Sequence, residues 1–106
     1  MRDGFEWRAL QFIGNFILFV TMSYVAQGNL WILLPAILIS LWNFIDGRFR
    51  PSDSYFVWPL LVIAVNVALN LWAVSVAGGS LWILIPILFL GIWNFIDGRI
   101  RRQSQV

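Results

Sequence analysis

Trp42-Asn43-Phe44-Ile45-Asp46-Gly47-Arg48-Phe49-Arg50 returns almost letter for letter as Trp93-Asn94-Phe95-Ile96-Asp97-Gly98-Arg99-Ile100-Arg101. Each copy closes a long apolar run and opens a basic one. That is the pattern of a transmembrane helix leaving the bilayer on its positive side. A shift of 51 residues extends the match: Leu30 to Arg50 against Leu81 to Arg101 gives 13 identities in 21 positions. Outside that block Phe5 matches Phe56, Trp7 matches Trp58, Asn15 matches Asn66 and Gly28 matches Gly79. The chain is therefore two copies of one unit, a first hairpin over residues 1–50 and a second over 51–106 with a basic tail.

Composition fixes the class. Of the 106 residues, 60% are hydrophobic and 11% charged, against about 25% charge in a typical soluble domain. The apolar residues come in runs near the ~20 that a bilayer crossing needs. The chain has no Cys and no His, which removes disulfides, thiol chemistry and the usual zinc or haem sites. Its basicity comes from seven arginines, all beside apolar runs, so it signals membrane orientation rather than nucleic acid.

Four spans follow. Span 1 is expected from Trp7 to Ala26; its counterpart inside the chain, Trp58 to Ala77, argues against a cleaved signal sequence. An uncharged turn, Gln27-Gly28-Asn29, leads to span 2 from Leu30 to Asp46. Span 3 is expected from Tyr55 to Ala77. A second uncharged turn, Gly78-Gly79-Ser80, leads to span 4 from Leu81 to Asp97. Asn29 and Ser80 are expected to cap the helices they precede. Pro35 and Pro86 fall in the second turn of their spans and predict a kink there. Gly47 is expected to end span 2 in the left-handed conformation, with residues 47–54 as the connector and Asp53 or Ser54 capping span 3.

In this topology Arg2, Arg8, Arg48, Arg50, Arg99, Arg101 and Arg102 all lie on one side. The positive-inside rule makes that side cytoplasmic and places both termini there, in a multi-pass protein of the cell inner membrane. Trp7, Trp42, Trp58 and Trp93 near the arginine side, with Trp31, Trp72 and Trp82 toward the other, are expected as two belts of interface aromatics. The fold class is an all-α transmembrane four-helix protein. It is made of two repeated hairpins related by a pseudo-twofold axis along the membrane normal.

The polar residues inside the spans are the candidate sites. Asp46 and Asp97 end their helices at the negative end of the dipole and call for cations. Arg50 or Arg8 is expected for Asp46, and Arg101 or Arg48 for Asp97; Arg99 belongs to the same interfacial set. Asn15 and Asn66 lie about 12 Å deep at ~1.5 Å per residue. With Gln11 and Asn70 they form a polar stripe on spans 1 and 3, and as repeat equivalents Asn15 and Asn66 could meet near the axis. Asn43 and Asn94 lie close to the aspartates and suit a bond to a carboxylate or a carbonyl. Ala64, Ala68, Ala73 and Ala77 give span 3 a small-residue stripe that permits close helix approach. No catalytic or metal-ligating set is present, and no cofactor ligand is identifiable; the tryptophans leave lipid or pigment contact open.

The pattern Asn15, Gly28-Asn29-Leu30-Trp31, Pro35, Asp46-Gly47, repeated as Asn66, Gly79-Ser80-Leu81-Trp82, Pro86, Asp97-Gly98, resembles the bacterial two-helix membrane module called the 2TM domain, here in tandem. The family carries His at the positions of Asp46 and Asp97 and another before the first Asn; this chain has neither, so roles of those histidines do not carry over. The resemblance implies a bacterial membrane protein, met in that family as stand-alone proteins and as membrane modules of sensors, without a defined activity. Three functions remain open. The first is a non-enzymatic scaffold or accessory subunit among other transmembrane subunits, for which photosynthetic and respiratory complexes are suitable hosts. The second is a small channel or transporter using the asparagine stripe, and the third a membrane sensor or anchor module.

Overall fold

The computed structural model describes the backbone of residues 2–49 and 57–104 and the side chains of 6–49 and 57–100. Four helices account for nearly all of it: α1 (Arg2–Val25), α2 (Leu33–Phe49), α3 (Val57–Val76) and α4 (Leu84–Ser104), with short 3₁₀ turns at Leu30–Ile32 and Leu81–Ile83 leading into α2 and α4. Each contains a 20-residue stretch long and apolar enough to cross a membrane: Glu6–Val25, Leu30–Phe49, Val57–Val76 and Leu81–Ile100. The protein is an all-α, four-helix membrane-spanning fold.

The two tight turns are built alike. After α1, the Gly28 N–H bonds the Ser23 carbonyl at 2.8 Å and the Gln27 N–H bonds Tyr24 at 3.0 Å. After α3, Gly79 bonds Val74 at 2.9 Å and Gly78 bonds Ser75 at 3.1 Å. This is the double bond of a Schellman ending, which needs a left-handed residue just past the helix. Gly78 fills that place in the second copy at φ 72°, but in the first it falls to Gln27 at φ 57°, where a Cβ is costly. Asn29 accepts from the Trp31 N–H at 3.1 Å as expected of a cap. Ser80 makes no side-chain cap bond, correcting its expected role.

Three other expectations change. The prolines do not kink an established helix: the chain enters through a 3₁₀ turn, and Pro35 is the third residue of α2, where a missing N–H costs little because the first turn has no intrahelical acceptor. Pro86 holds the same place in α4. Gly47 does not end α2, nor Gly98 α4; both are helical, the helices run on to Phe49 and Ser104, and neither glycine has positive φ. Residues 47–49 therefore belong to α2 rather than to the connector; Asp53 and Ser54 lie outside the described residues. Of the small-residue stripe only Ala73 is fully buried, Ala77 being half-buried and Ala64 and Ala68 exposed.

The role of Gly47 and Gly98 is close approach. A Cβ on Gly47 would overlap the Phe95 carbonyl oxygen and lie 3.1 Å from the Arg99 nitrogen; one on Gly98 would overlap the Phe44 carbonyl oxygen and lie 2.8 Å from the Arg48 nitrogen. α2 and α4, running in parallel, touch backbone to backbone there. Above that point they share a seam. Ile32, Ala36, Ile39, Asn43 and Asp46 are buried at alternating spacings of four and three, and so are Ile83, Ile87, Leu90, Asn94 and Asp97. This is the knobs-into-holes spacing of a left-handed helix pair. Met22 of α1 and Ala73 of α3 complete the apolar core near the turns.

α1 packs chiefly on α4 and α3 chiefly on α2. The arms of each hairpin meet at their turn and part below it, so that each first helix lies against the second helix of the other copy. The order across the molecule is α1, α4, α2, α3, a flat layer measuring 43 × 36 × 17 Å.

Candidate functional site

Two polar ladders, one on each flank of the central pair, hold the exchanged helices. Trp7 Nε1 of α1 donates to Asp97 Oδ1 of α4 at 2.5 Å. One turn deeper, Gln11 Nε2 donates to Asn94 Oδ1 at 2.9 Å. Asn94 Nδ2 in turn donates to Asn15 Oδ1 at 2.8 Å and to the Leu90 carbonyl at 2.9 Å. Trp93 Nε1 donates to the Gln11 carbonyl at 3.3 Å, and its indole lies 5.7 Å from that of Trp7.

The other ladder repeats these contacts on repeat-equivalent residues, except that of Gln11. Trp58 Nε1 donates to Asp46 Oδ1 at 2.6 Å. Asn43 and Asn66 pair their amides reciprocally, at 2.9 and 3.4 Å. Asn43 also donates to the Ile39 carbonyl, Asn66 to Val62, and Trp42 Nε1 to Val62. Trp42 and Trp58 lie 5.7 Å apart. The recurrence of carboxylate, amide and indole contacts is the pseudo-twofold relation in atomic form.

These contacts relocate the asparagines and give each aspartate an indole donor. Asn15 and Asn66 do not meet at the axis; each bonds the asparagine of the flanking helix, because α1 and α3 lie on opposite edges of the layer with α4 and α2 between them. Asp46 and Asp97 are 2% and 4% exposed and take indole donors from Trp58 and Trp7. Arg48 lies 5.3 Å from the Phe49 ring centre and Arg99 6.0 Å from that of Phe95. Arg8 is exposed. The side chains of Arg50 and Arg101, named as partners for the aspartates, lie outside the described residues. Trp7, Trp42, Trp58 and Trp93 sit half-buried between helices, whereas Trp31 and Trp82 are 69% and 71% exposed.

Asn43 and Asn94 are the residues whose weight sequence reasoning missed. They are the hubs of the ladders, and the signal in the sequence was an amide three residues before each aspartate, returning in both copies. Among the described residues, two buried side-chain acceptors have no hydrogen-bond partner: Gln11 Oε1 and Asn70 Oδ1. Gln11 belongs to one ladder only, its repeat equivalent being Val62. Chemically the ladders bind helix to helix. Among the described residues no group of three His, Cys, Asp or Glu side chains could hold a metal ion. Comparison with protein-family models, with curated proteins and with solved structures gives no match.

Proposed function

We propose that the chain is a non-catalytic scaffold or accessory subunit of a larger bacterial inner-membrane assembly, with both termini cytoplasmic. The observation that carries this reading is the flat shape, 17 Å through its thin direction. Both broad faces are apolar: Ile37, Leu38, Leu41 and Ile45 of α2 and Ile85, Leu88, Phe89 and Ile92 of α4 are all exposed. In a bilayer such faces meet lipid tails or other helices, and helix association there depends on shape and polar contacts. The arginine asymmetry supports the orientation, and the resemblance to tandem 2TM domains supports a bacterial membrane setting.

The channel reading has less support, because the Asn15 and Asn66 carbonyls are taken up by Asn94 and Asn43 rather than lining a water path. Purification of tagged chain in mild detergent, with identification of co-migrating subunits, tests the proposal. A reproducible stoichiometric transmembrane partner is the expected result. A lone chain that also conducts ions in liposomes would overturn it.

A further inference from the structure

One groove occurs twice in this fold. Between α1 and α4 it measures about 260 Å³ and is walled by Gly14, Leu18, Phe89, Ile92, Trp93 and Ile96. Between α3 and α2 it measures about 340 Å³, and its walls are the residues 51 positions away: Val65, Leu69, Leu38, Leu41, Trp42 and Ile45. The pseudo-twofold relation puts the two on opposite faces of the layer. Gly14, Phe89 and Ile92 are replaced by Val65, Leu38 and Leu41, yet the groove persists. It therefore comes from the way the exchanged helices meet, not from one missing side chain.

Both grooves are dry. The one polar side-chain atom in each wall is the tryptophan Nε1, and it is taken up, by the Gln11 carbonyl for Trp93 and the Val62 carbonyl for Trp42, each at 3.3 Å. Size excludes a helix as occupant. Spread over the ~10 Å from Phe89 to Ile96, at ~1.5 Å per residue, the volume has a cross-section of about 25 Å², against about 80 Å² for a helix ~10 Å across. An unfilled groove would forfeit dispersion contacts along its length, so a slender apolar chain fits it best.

Charge names the other end of that occupant. Phe89, Ile92, Ile96 and Arg99 follow one another at spacings of three, four and three, which keeps them on one face of α4. Leu38, Leu41, Ile45 and Arg48 do the same on α2. Each groove wall thus continues to an arginine at the basic rim, and Arg99 is exposed there. Phe89 to Arg99 is roughly 15 Å along the helix, half of the ~30 Å hydrocarbon core and so the depth of one leaflet.

We propose that each groove holds one acyl chain of an anionic phospholipid of the arginine-side leaflet, with the phosphate at Arg99 in one groove and at Arg48 in the other. A guanidinium meets a phosphate through paired, charge-assisted bonds, and basic sites between transmembrane helices suit anionic headgroups. The inference does not depend on the chain having other subunits.

The test is native mass spectrometry of the full chain in mild detergent, incubated with equal amounts of phosphatidylglycerol and phosphatidylcholine. Wild type should retain two lipids, chiefly phosphatidylglycerol. Arg99→Gln, which leaves the groove intact, should lower the preference for phosphatidylglycerol at one of the two sites about fivefold, the worth of one arginine at an anionic surface. Ile17 also lines the α1–α4 groove, so Ile17→Trp should fill it and lose one lipid with Arg99 still in place. Two controls should change nothing. Arg8→Gln removes an exposed arginine about a third of a turn round α1 from Gly14. Leu60→Trp adds an indole at an exposed position of α3 that lines neither groove. Circular dichroism of every variant separates loss of lipid from loss of fold.

Wild type that retains no lipid, or both headgroups alike, overturns the proposal. So does an equal effect of Arg99→Gln and Arg8→Gln, which would make the preference one of rim charge alone. An Ile17→Trp chain that folds and keeps both lipids overturns it too. A side chain of another subunit crosslinked into the groove at position 17, in place of lipid, would overturn the lipid site and leave the scaffold reading standing.

Discussion

Replacing Gly98 by alanine should weaken the fold, although alanine favours a helix over glycine by about 1 kcal/mol. The new methyl would overlap the Phe44 carbonyl oxygen, lie 2.8 Å from the Arg48 nitrogen and 3.1 Å from the Gly47 carbonyl carbon. All three are backbone atoms of α2, so no rotamer change relieves them and the helices must separate. Forcing extra atoms into a packed contact costs typically ~1–3 kcal/mol, and the seam toward Asn94 and Leu90 loosens as well. Set against the gain in propensity, the net loss should be up to about 2 kcal/mol.

Gly47→Ala meets the Phe95 carbonyl in the same way and should cost a similar amount. The double variant should lose less than the sum, because a pair already pushed apart by one methyl has room for the second; contacting sites couple by ~0.5–3 kcal/mol. Gly91→Ala is the control: its nearest neighbour would be Asn43 Nδ2 at 3.4 Å, an ordinary contact, and stability should hold or rise. Reversible unfolding in mixed detergent micelles, followed by tryptophan fluorescence, measures all four. Equal behaviour of Gly98→Ala and Gly91→Ala would refute the reasoning, and so would strict additivity of the pair.

Asn94 makes two interhelical amide bonds, to Gln11 and Asn15. Asn94→Leu should therefore cost about 1–3 kcal/mol at ~0.6–1.7 kcal/mol per bond, and Asn43→Leu, which breaks the reciprocal pair with Asn66, a similar amount in the same unfolding assay. Gln27→Gly should stabilise the first turn by up to about 1 kcal/mol by removing a Cβ from left-handed backbone, and Gly78→Gln should do the reverse; thermal unfolding of both in one detergent gives the comparison. Asn29→Ala should lose about 0.5–2 kcal/mol of capping and Ser80→Ala close to nothing, since only Asn29 makes the cap bond.

Four spans, their repeat and the uncharged turns were legible because each rests on long apolar runs, a shift that superposes the chain, and glycines where a turn must form. Which helix lies beside which was not legible. Hairpin reasoning places α1 beside α2, and nothing in either span alone says that Trp7 and Gln11 are matched to Asp97 and Asn94. That pairing became visible only when the buried positions of α2 and α4 were known. Their four-three spacing is masked in the sequence because apolar residues surround the helices on every side, as lipid exposure requires. Gly47 misled for a related reason. A glycine after an aspartate and before a basic run looks like a helix end, and close approach of a second helix leaves the same mark.

The exchange of helices between the two hairpins is the account's central claim, and the absence of cysteine from the chain makes it directly measurable. Paired cysteines at positions 11 and 94, treated in vesicles with a short thiol-bridging reagent, should join α1 to α4, leaving an intramolecular crosslink across a protease site engineered in the 50–56 connector. Cysteines at 11 and 43, which belong to the same hairpin, should stay unbridged, with spectroscopic helix content unchanged in both. Bridging of 11 to 43 in preference to 11 to 94 would contradict the exchange.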